Sequence, residues 1–453
     1  MNINKYIFRG YDIRGTYPVD INSSVSKIIG KSFGTYIQKL GKDTCIVGRD
    51  NRYSSLELSN SLIEGILSTG VNVIDLGLVT TPMYYYACLI KNNPTGIMVT
   101  ASHNPKDDNG FKFAFDERGN ARGEMIEEFR DFTLKGAFVQ GKGTLTTYDI
   151  RDEYIKMMIS SIELGTRPLK IVLDLGNGTT SCIAKDIYYR FPIDLEVIYG
   201  ESDPEFPNHH PDPGVEENLN ALKRKVLELN ADLGIAFDGD GDRVGIIDEQ
   251  GKYIPIDQYM IIIIRDIINK VENKTFLYDV KCSKSLEDEI KKLNGIGVCY
   301  RTGNSYFKAK LKKDNIPFGA ELSGHVYFND RFYGFDSGLY AGLRLIEILS
   351  KTNKTVSELL SGMNQYFRTS ELKFSSSDEI KFSVIDKIKQ YCINKGYRIV
   401  TIDGVKIEFE DGWALIRCSN TGPNITAIFE SNQKTKLEEI KEEFIRLINE
   451  YNK

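Results

Sequence analysis

Tryptophan occurs once and histidine four times in this 453-residue chain, and its seven cysteines are scattered. Cys45, Cys88, Cys182, Cys282, Cys299, Cys392 and Cys418 never form a Cys-x-x-Cys pair, which argues against a disulfide framework or a thiolate zinc site. Reduced, mostly buried thiols are expected. Long apolar runs are also missing: Met260 to Ile264 is far too short to cross a bilayer. The first residues lack the apolar core of a signal peptide, so the expected location is cytoplasmic, with no membrane partner. Asn273-Lys274-Thr275 then reads as a chance glycosylation triplet. Nor is there a basic excess. The net charge is −5 with no basic block, which speaks against nucleic acid as a partner. An anionic substrate would need a locally positive site, because the overall field would not attract it.

What is present is an ordinary globular composition, too long for a single core. At about 150 residues per domain, three or four domains are expected. A β-α-β pattern starts at Cys45, runs through a helix over 54–68 and returns at Val71 to Asp75. The plan recurs at Lys170 and at Phe276. Those starts are too widely spaced for a solenoid and imply three related α/β domains, with loops gathered at one end of each sheet. After 375 the composition shifts into a fourth region of strands and helices, whose last helix buries Leu437, Ile440, Phe444, Leu447 and Ile448. The expected boundaries are 1–150, 151–251, 252–364 and 365–453.

Chemistry-bearing residues cluster in a few stretches. Ile97 to Val99 reads as a short buried strand ending at Thr100-Ala101-Ser102-His103-Asn104-Pro105, which places the Ser102 hydroxyl in the open on a turn-rich loop. Phe111-Lys112-Phe113-Ala114-Phe115 alternates as a strand, putting the phenylalanines on one face and Lys112 on the other. Asp238-Gly239-Asp240-Gly241-Asp242-Arg243 alternates carboxylates with glycines, a pattern that can curl around one hard cation. An EF-hand loop and a solvated acidic turn are its rivals, although Arg243 stands where an EF-hand requires glycine. Phe206-Pro207-Asn208-His209-His210-Pro211-Asp212-Pro213 reads as a stiff linker rather than a metal site, since adjacent histidines point apart. In Arg417-Cys418-Ser419-Asn420-Thr421-Gly422, a guanidinium, two hydroxyls, an amide and a glycine suit a phosphate dianion.

These stretches, together with Phe8 to Gly15, Val280-Lys281-Cys282, Thr302 to Ser305 and Gly319-Ala320-Glu321-Leu322-Ser323-Gly324-His325, resemble the α-D-phosphohexomutases in motif and in order, over nearly the whole chain. The resemblance implies three α/β domains with mixed sheets and a C-terminal α+β lid around a central cleft. It also implies interconversion of hexose 1-phosphate and 6-phosphate, on mannose, glucose or both, through phosphoserine and a bound hexose 1,6-bisphosphate. Ser102 would be the phosphorylated residue, and Asp238, Asp240, Asp242 and a Ser102 phosphate oxygen would hold Mg²⁺. Tyr11, Lys281, Glu321, Ser323, His325, Arg417, Ser419, Asn420 and Thr421 would bind hexose phosphate, with His103, Arg14, Lys112, Arg243 and His325 around the reacting groups. Asn304 departs from the pattern. It stands where the family often has histidine and cannot shuttle a proton, so His325, Arg14 or Lys112 takes that part. A monomer or weak homo-oligomer is expected. A metal-dependent sugar phosphatase and a non-catalytic sugar-bisphosphate sensor remain the alternatives.

Overall fold

The computed structural model describes residues 3–377, 379–419 and 423–453. Four sheets follow one another along the chain, and the first three share a plan. In each, a first strand lies in the interior with a parallel neighbour on either side, and a further strand runs antiparallel to one of those neighbours. The interior strands are Thr44–Arg49, Lys170–Asp174 and Thr275–Asp279. The antiparallel additions are Asp108–Ala114, Val244–Ile247 and Val326–Phe328, paired respectively with Gly96–Val99, Leu233–Phe237 and Phe318–Ala320. Each unit therefore contains a hairpin whose loop lies at the carboxyl end of its parallel strands, where α/β sheets place ligands. Those three loops hold Ser102, the Asp238–Asp242 aspartates and Glu321 with His325.

The expected elements are present to within a few residues: helix Ser55–Leu67 lies between strands Thr44–Arg49 and Asn72–Leu78, and helix Lys284–Lys292 between Thr275–Asp279 and Ile296–Tyr300. The second unit differs. After Lys170–Asp174 the chain makes a 3-10 turn at Thr179–Cys182 and only a short helix, Ala184–Tyr188. Strands flank the aspartate loop on both sides, which removes the EF-hand reading. Met260 to Ile264 lies in helix Ile256–Ile267, where all five are buried while Gln258, Arg265 and Asp266 lie on its less buried side. Among the described residues no helix is long and apolar enough to cross a membrane.

The fourth sheet is antiparallel, ordered Phe367–Arg368, Asn424–Ser431, Gly412–Cys418, Val405–Glu408, Arg398–Val400, with Leu372–Ser375 also on Asn424–Ser431. Helices Lys381–Lys395 and Lys434–Tyr451 cover one face, and the second buries the five-residue apolar stripe expected of it. Trp413, Leu415 and Ile428 on the other face pack against Val280 of the third unit. The Lys406 ammonium donates to the Val280 carbonyl at 3.1 Å, so the fourth unit is docked beside the Lys281 segment.

Candidate active site

Ser102 lies just past strand Gly96–Val99, as expected of a strand-end loop, but its hydroxyl is not in the open. The residue is 2% exposed, and its Oγ donates to Asp238 Oδ2 at 2.7 Å. Burial follows from the approach of the second unit's aspartate loop: a β-carbon at Gly239 would stand 2.5 Å from the Ser102 carbonyl oxygen. Only glycine lets the two loops come this close. Ser102 itself adopts φ +51°, a left-handed conformation that a non-glycine residue keeps only where its surroundings enforce it.

Behind the serine, Asp238, Asp240 and Asp242 are fully buried, with oxygens from the three carboxylates within 4.8 Å of one another. Asp238 Oδ1 accepts from the backbone N–H groups of Gly241 and Arg243, both at 3.0 Å. Asp240 Oδ2 accepts from Thr81 Oγ1 at 2.6 Å and Thr100 Oγ1 at 3.1 Å. Lys112 crosses from the first unit and bridges Asp240 Oδ2 at 2.8 Å and Asp242 Oδ2 at 2.6 Å. Strand alternation carries it there: Phe111 and Phe113 enter the first unit's core while Lys112 faces the opposite side. Burial opposes its charge, yet the two carboxylates outweigh that and hold the ammonium well above its usual range. Burial and the neighbouring carboxylates Asp240 and Asp242 push Asp238 the other way from Asp240, whose acidity the Lys112 ammonium raises despite burial. Asp240 Oδ1 is buried with no hydrogen-bond partner, and Asp242 Oδ1 also makes none, with His325 Nδ1 3.4 Å away. Buried carboxylate oxygens left unpaired are expensive unless a cation takes them, so the donor set fits a hard divalent ion.

Two connected cavities open onto this cluster. The smaller, about 150 Å³, is lined by Tyr11, Arg14, Ser102, His103, Lys112, Arg243 and His325 among others. The larger, about 910 Å³, shares Tyr11, His103, Arg243 and His325 with it and extends past Lys281, Glu321 and Ser323 to Arg417 and Ser419. Asn420 and Thr421 lie outside the described residues. Every other candidate site residue lines these two cavities or, like Asp238, Asp240 and Asp242, is buried directly beneath them. Asn304 lines both cavities and donates to Asp336 Oδ2 at 3.3 Å.

The electrostatics match an anionic ligand. Arg14 pairs with Asp12 at 2.9 Å and donates to the Thr100 carbonyl. Arg243 Nε donates to His325 Nε2 at 3.1 Å, and its backbone bridges to His325 from the neighbouring loop. His103 is held well below the usual imidazole range by burial and by the charges of Arg243 and Arg14, which keeps it neutral. Tyr11 is pushed up to about 12 by burial and by Asp12 and Glu321. Glu321 accepts from the Gly303 N–H at 2.6 Å and from Tyr327 Oη at 2.7 Å, and burial raises its carboxyl.

Several partners escaped the sequence reading. Asp336 sits 2.8 Å from His325 Nδ1 and takes Lys308 Nζ at 3.0 Å. Asp403 and Thr302 hold the Arg417 guanidinium, each at 3.1 Å. Arg52 grips the backbone of the serine loop. These contacts join separate elements, and those of Arg52 and Thr302 are also remote in sequence; a charged residue just past a strand end, as at Arg52, was the one available signal.

Three repeated α/β units and an antiparallel fourth, closed around a serine set on three aspartates, define the phosphohexomutase architecture. Comparison with known proteins agrees along the chain. It matches the families described as phosphoglucomutase/phosphomannomutase alpha/beta/alpha domain I over residues 5–140, domain II over 152–251, domain III over 255–366 and C-terminal domain over 371–447. The phosphomannomutase/phosphoglucomutase of Pseudomonas aeruginosa is 37% identical over 439 residues, spanning 97% of this chain and 94% of that protein. The phosphoglucomutase of Neisseria gonorrhoeae is 35% identical, spanning 99% and 97%. A crystal structure of a phosphoglucomutase/phosphomannomutase family protein from Burkholderia thailandensis superposes with a TM-score of 0.92 at 36% identity, covering 99% and 98% of the two chains. The chain belongs to the phosphoglucomutase/phosphomannomutase family and is an enzyme, a phosphotransferase mutase.

Proposed function

We propose that this enzyme interconverts the 1- and 6-phosphates of glucose and mannose, with Ser102 as the phosphoryl carrier and a hexose 1,6-bisphosphate as the bound intermediate. The observation that carries this reading is the Ser102 hydroxyl at 2.7 Å from Asp238, in the smaller cavity, which shares Tyr11, His103, Arg243 and His325 with the 910 Å³ cavity that reaches Glu321 and Arg417. Phosphoserine 102 gives its phosphoryl group to the free sugar hydroxyl; the bisphosphate then turns end over end and returns its other phosphate to Ser102. Such transfers depend on charge arranged around the moving group. Arg14, Lys112 and Arg243 supply fixed cations on three sides. Asp238, Asp240 and Asp242 are the residues that would hold Mg²⁺, which when bound adds positive charge against the phosphoryl oxygens. Of the three candidates for the sugar hydroxyl proton, Arg14 and Lys112 are held as cations and cannot take it, which leaves His325, while neutral His103 lines the same cavity. Glu321 and Ser323 accept and donate to sugar hydroxyls, with Lys281 and Tyr11 beside them. Arg417 and Ser419 meet the distal phosphate.

Burial of Asp238 behind Ser102 does not serve a phosphatase that uses the aspartate as its nucleophile. We assign the work to four units, 1–150, 151–251, 252–364 and 365–453, carrying phosphoserine, metal, sugar and phosphate recognition in that order. Incubating glucose or mannose 1-phosphate with the protein, Mg²⁺ and a trace of the 1,6-bisphosphate should yield the 6-phosphate, and intact mass should show one phosphoryl group on part of the sample. Net phosphate release without isomer exchange would overturn the proposal.

A further inference from the structure

The Phe206 to Pro213 stretch has no part in the reaction just described, yet it reaches the serine loop. Phe206, at φ +48°, lays its ring under the Arg52 guanidinium, 5.6 Å from the centroid. His209 is anchored to Asp174 at 3.0 Å, and the next residue, His210, donates through Nε2 to the His103 carbonyl. Arg52, 3% exposed, donates through Nη2 to the carbonyls of Ser102 at 2.7 Å and Asn104 at 2.6 Å. Its Nη1 donates to those of Pro105 at 2.5 Å and Asp108 at 3.0 Å, and Asp50 neutralises it from the far side at 3.3 Å. Four consecutive carbonyls, from Ser102 to Pro105, are therefore held by donors from outside the loop. Arg52 belongs to the first unit and His210 to the second.

A loop fixed only by its ends would let Ser102 drift, and a nucleophile displaced by about 1 Å can lose ~10²-fold in rate. The second unit also carries the aspartate loop. A grip from His210 on the residue next to Ser102 ties the serine to the unit that holds Asp238. We propose that Arg52 and His210 are positioning residues for Ser102: a two-sided brace that keeps it in its left-handed conformation and in register with the aspartates, without touching the sugar. This rests on Ser102 being the phosphoryl carrier. It accounts for a rigid, proline-flanked histidine pair where a flexible linker would otherwise suffice.

The test uses the full-length protein, first dephosphorylated, then mixed with glucose 1,6-bisphosphate while phosphorylation of Ser102 is followed by peptide mass spectrometry. KM for the monophosphate and kcat are measured alongside. His210→Ala should slow phosphoryl transfer to Ser102 and kcat by ~10-fold or more, with KM changed by less than about threefold. His210→Gln, which restores an N–H donor, should recover most of the rate. Arg52→Lys should show the larger defect; because Arg52 is buried and that variant can lose its fold, the partly exposed His210 carries the decision. Unchanged transfer in His210→Ala, or a loss that Gln fails to rescue and that falls equally on KM, overturns the brace. Absence of any phosphoryl group on wild-type Ser102 would instead overturn the carrier role itself, and the brace with it.

Discussion

Lys112 shows how one side chain can serve both stability and chemistry. Its ammonium bridges Asp240 and Asp242, offsetting one of their two charges, in a site where all three are nearly inaccessible. Removing one partner of such a buried group leaves charge uncompensated, typically at 3–5 kcal/mol. Lys112→Met should therefore lower the melting temperature by several degrees and suppress activity. Part of the lost stability should return on adding Mg²⁺, because a cation can take over the orphaned carboxylates; thermal melts with and without the ion check this. Asp240→Asn should act in reverse, weakening Mg²⁺ binding in a calorimetric titration and lowering kcat by ~10²-fold or more. An unaltered titration would take Asp240 out of the metal set. Ser102→Ala should abolish isomer exchange and leave no site for the phosphoryl group, while monophosphate binding, read by calorimetry, persists. Local pattern gave part of this: alternation set Lys112 opposite the phenylalanines and glycine spacing let the aspartates curl, while the resemblance to the phosphohexomutases was what pointed both toward one site. Burial of Ser102 was not legible, since it is imposed by a loop 136 residues away.

At the scale of elements, the three hairpin loops make the site, and the second must nest inside the first. Gly239 faces the Ser102 carbonyl, and Gly241 adopts φ +79°. Gly239→Ala should push the loops apart, destabilising by about 1–3 kcal/mol, and the serine–aspartate contact should lengthen. The expected kinetic signature is a fall in kcat with KM nearly unchanged, since the proposed contacts to sugar and distal phosphate lie on the third and fourth units. A KM effect as large as the kcat effect would mean that the displaced loop also shapes the sugar site. Strand and helix positions could be read from periodicity because each element satisfies its own backbone and buries its own face. The short Ala184–Tyr188 helix and the partners Asp336 and Asp403 could not be read that way, because the two aspartates act through contacts between separate elements that periodicity does not report.

For the whole molecule, the fourth unit is proposed as a lid hinged near residue 365, gripping whichever end of the sugar is not reacting. Its seat on the third unit is mixed: Trp413 packs near Val280, and Arg368 pairs with Asp257 at 2.9 Å and donates to the Lys281 carbonyl. Arg417 points into the cleft with Asp403 and Thr302 steadying it, and the Asp403 carboxyl is held below its usual range by the Arg417 guanidinium against the effect of burial. On the proposed mechanism a guanidinium so fixed would read a phosphate dianion without reading which sugar carbon bears it, and the bisphosphate would present each end to it in turn. Arg417→Ala should accordingly weaken both the 1- and the 6-phosphate to a similar degree, by ~10- to 100-fold for a lost charge-assisted bond. Bisphosphate should escape into solution during turnover, because turning the intermediate needs a grip that loosens without letting go. Ser102 should still accept a phosphoryl group from added bisphosphate. Binding isotherms for the two isomers, with released bisphosphate measured during turnover, separate these demands. Weakening of one isomer alone, with no added escape, would show that Arg417 serves a single fixed phosphate, and the lid would then have no reason to open between the two transfers.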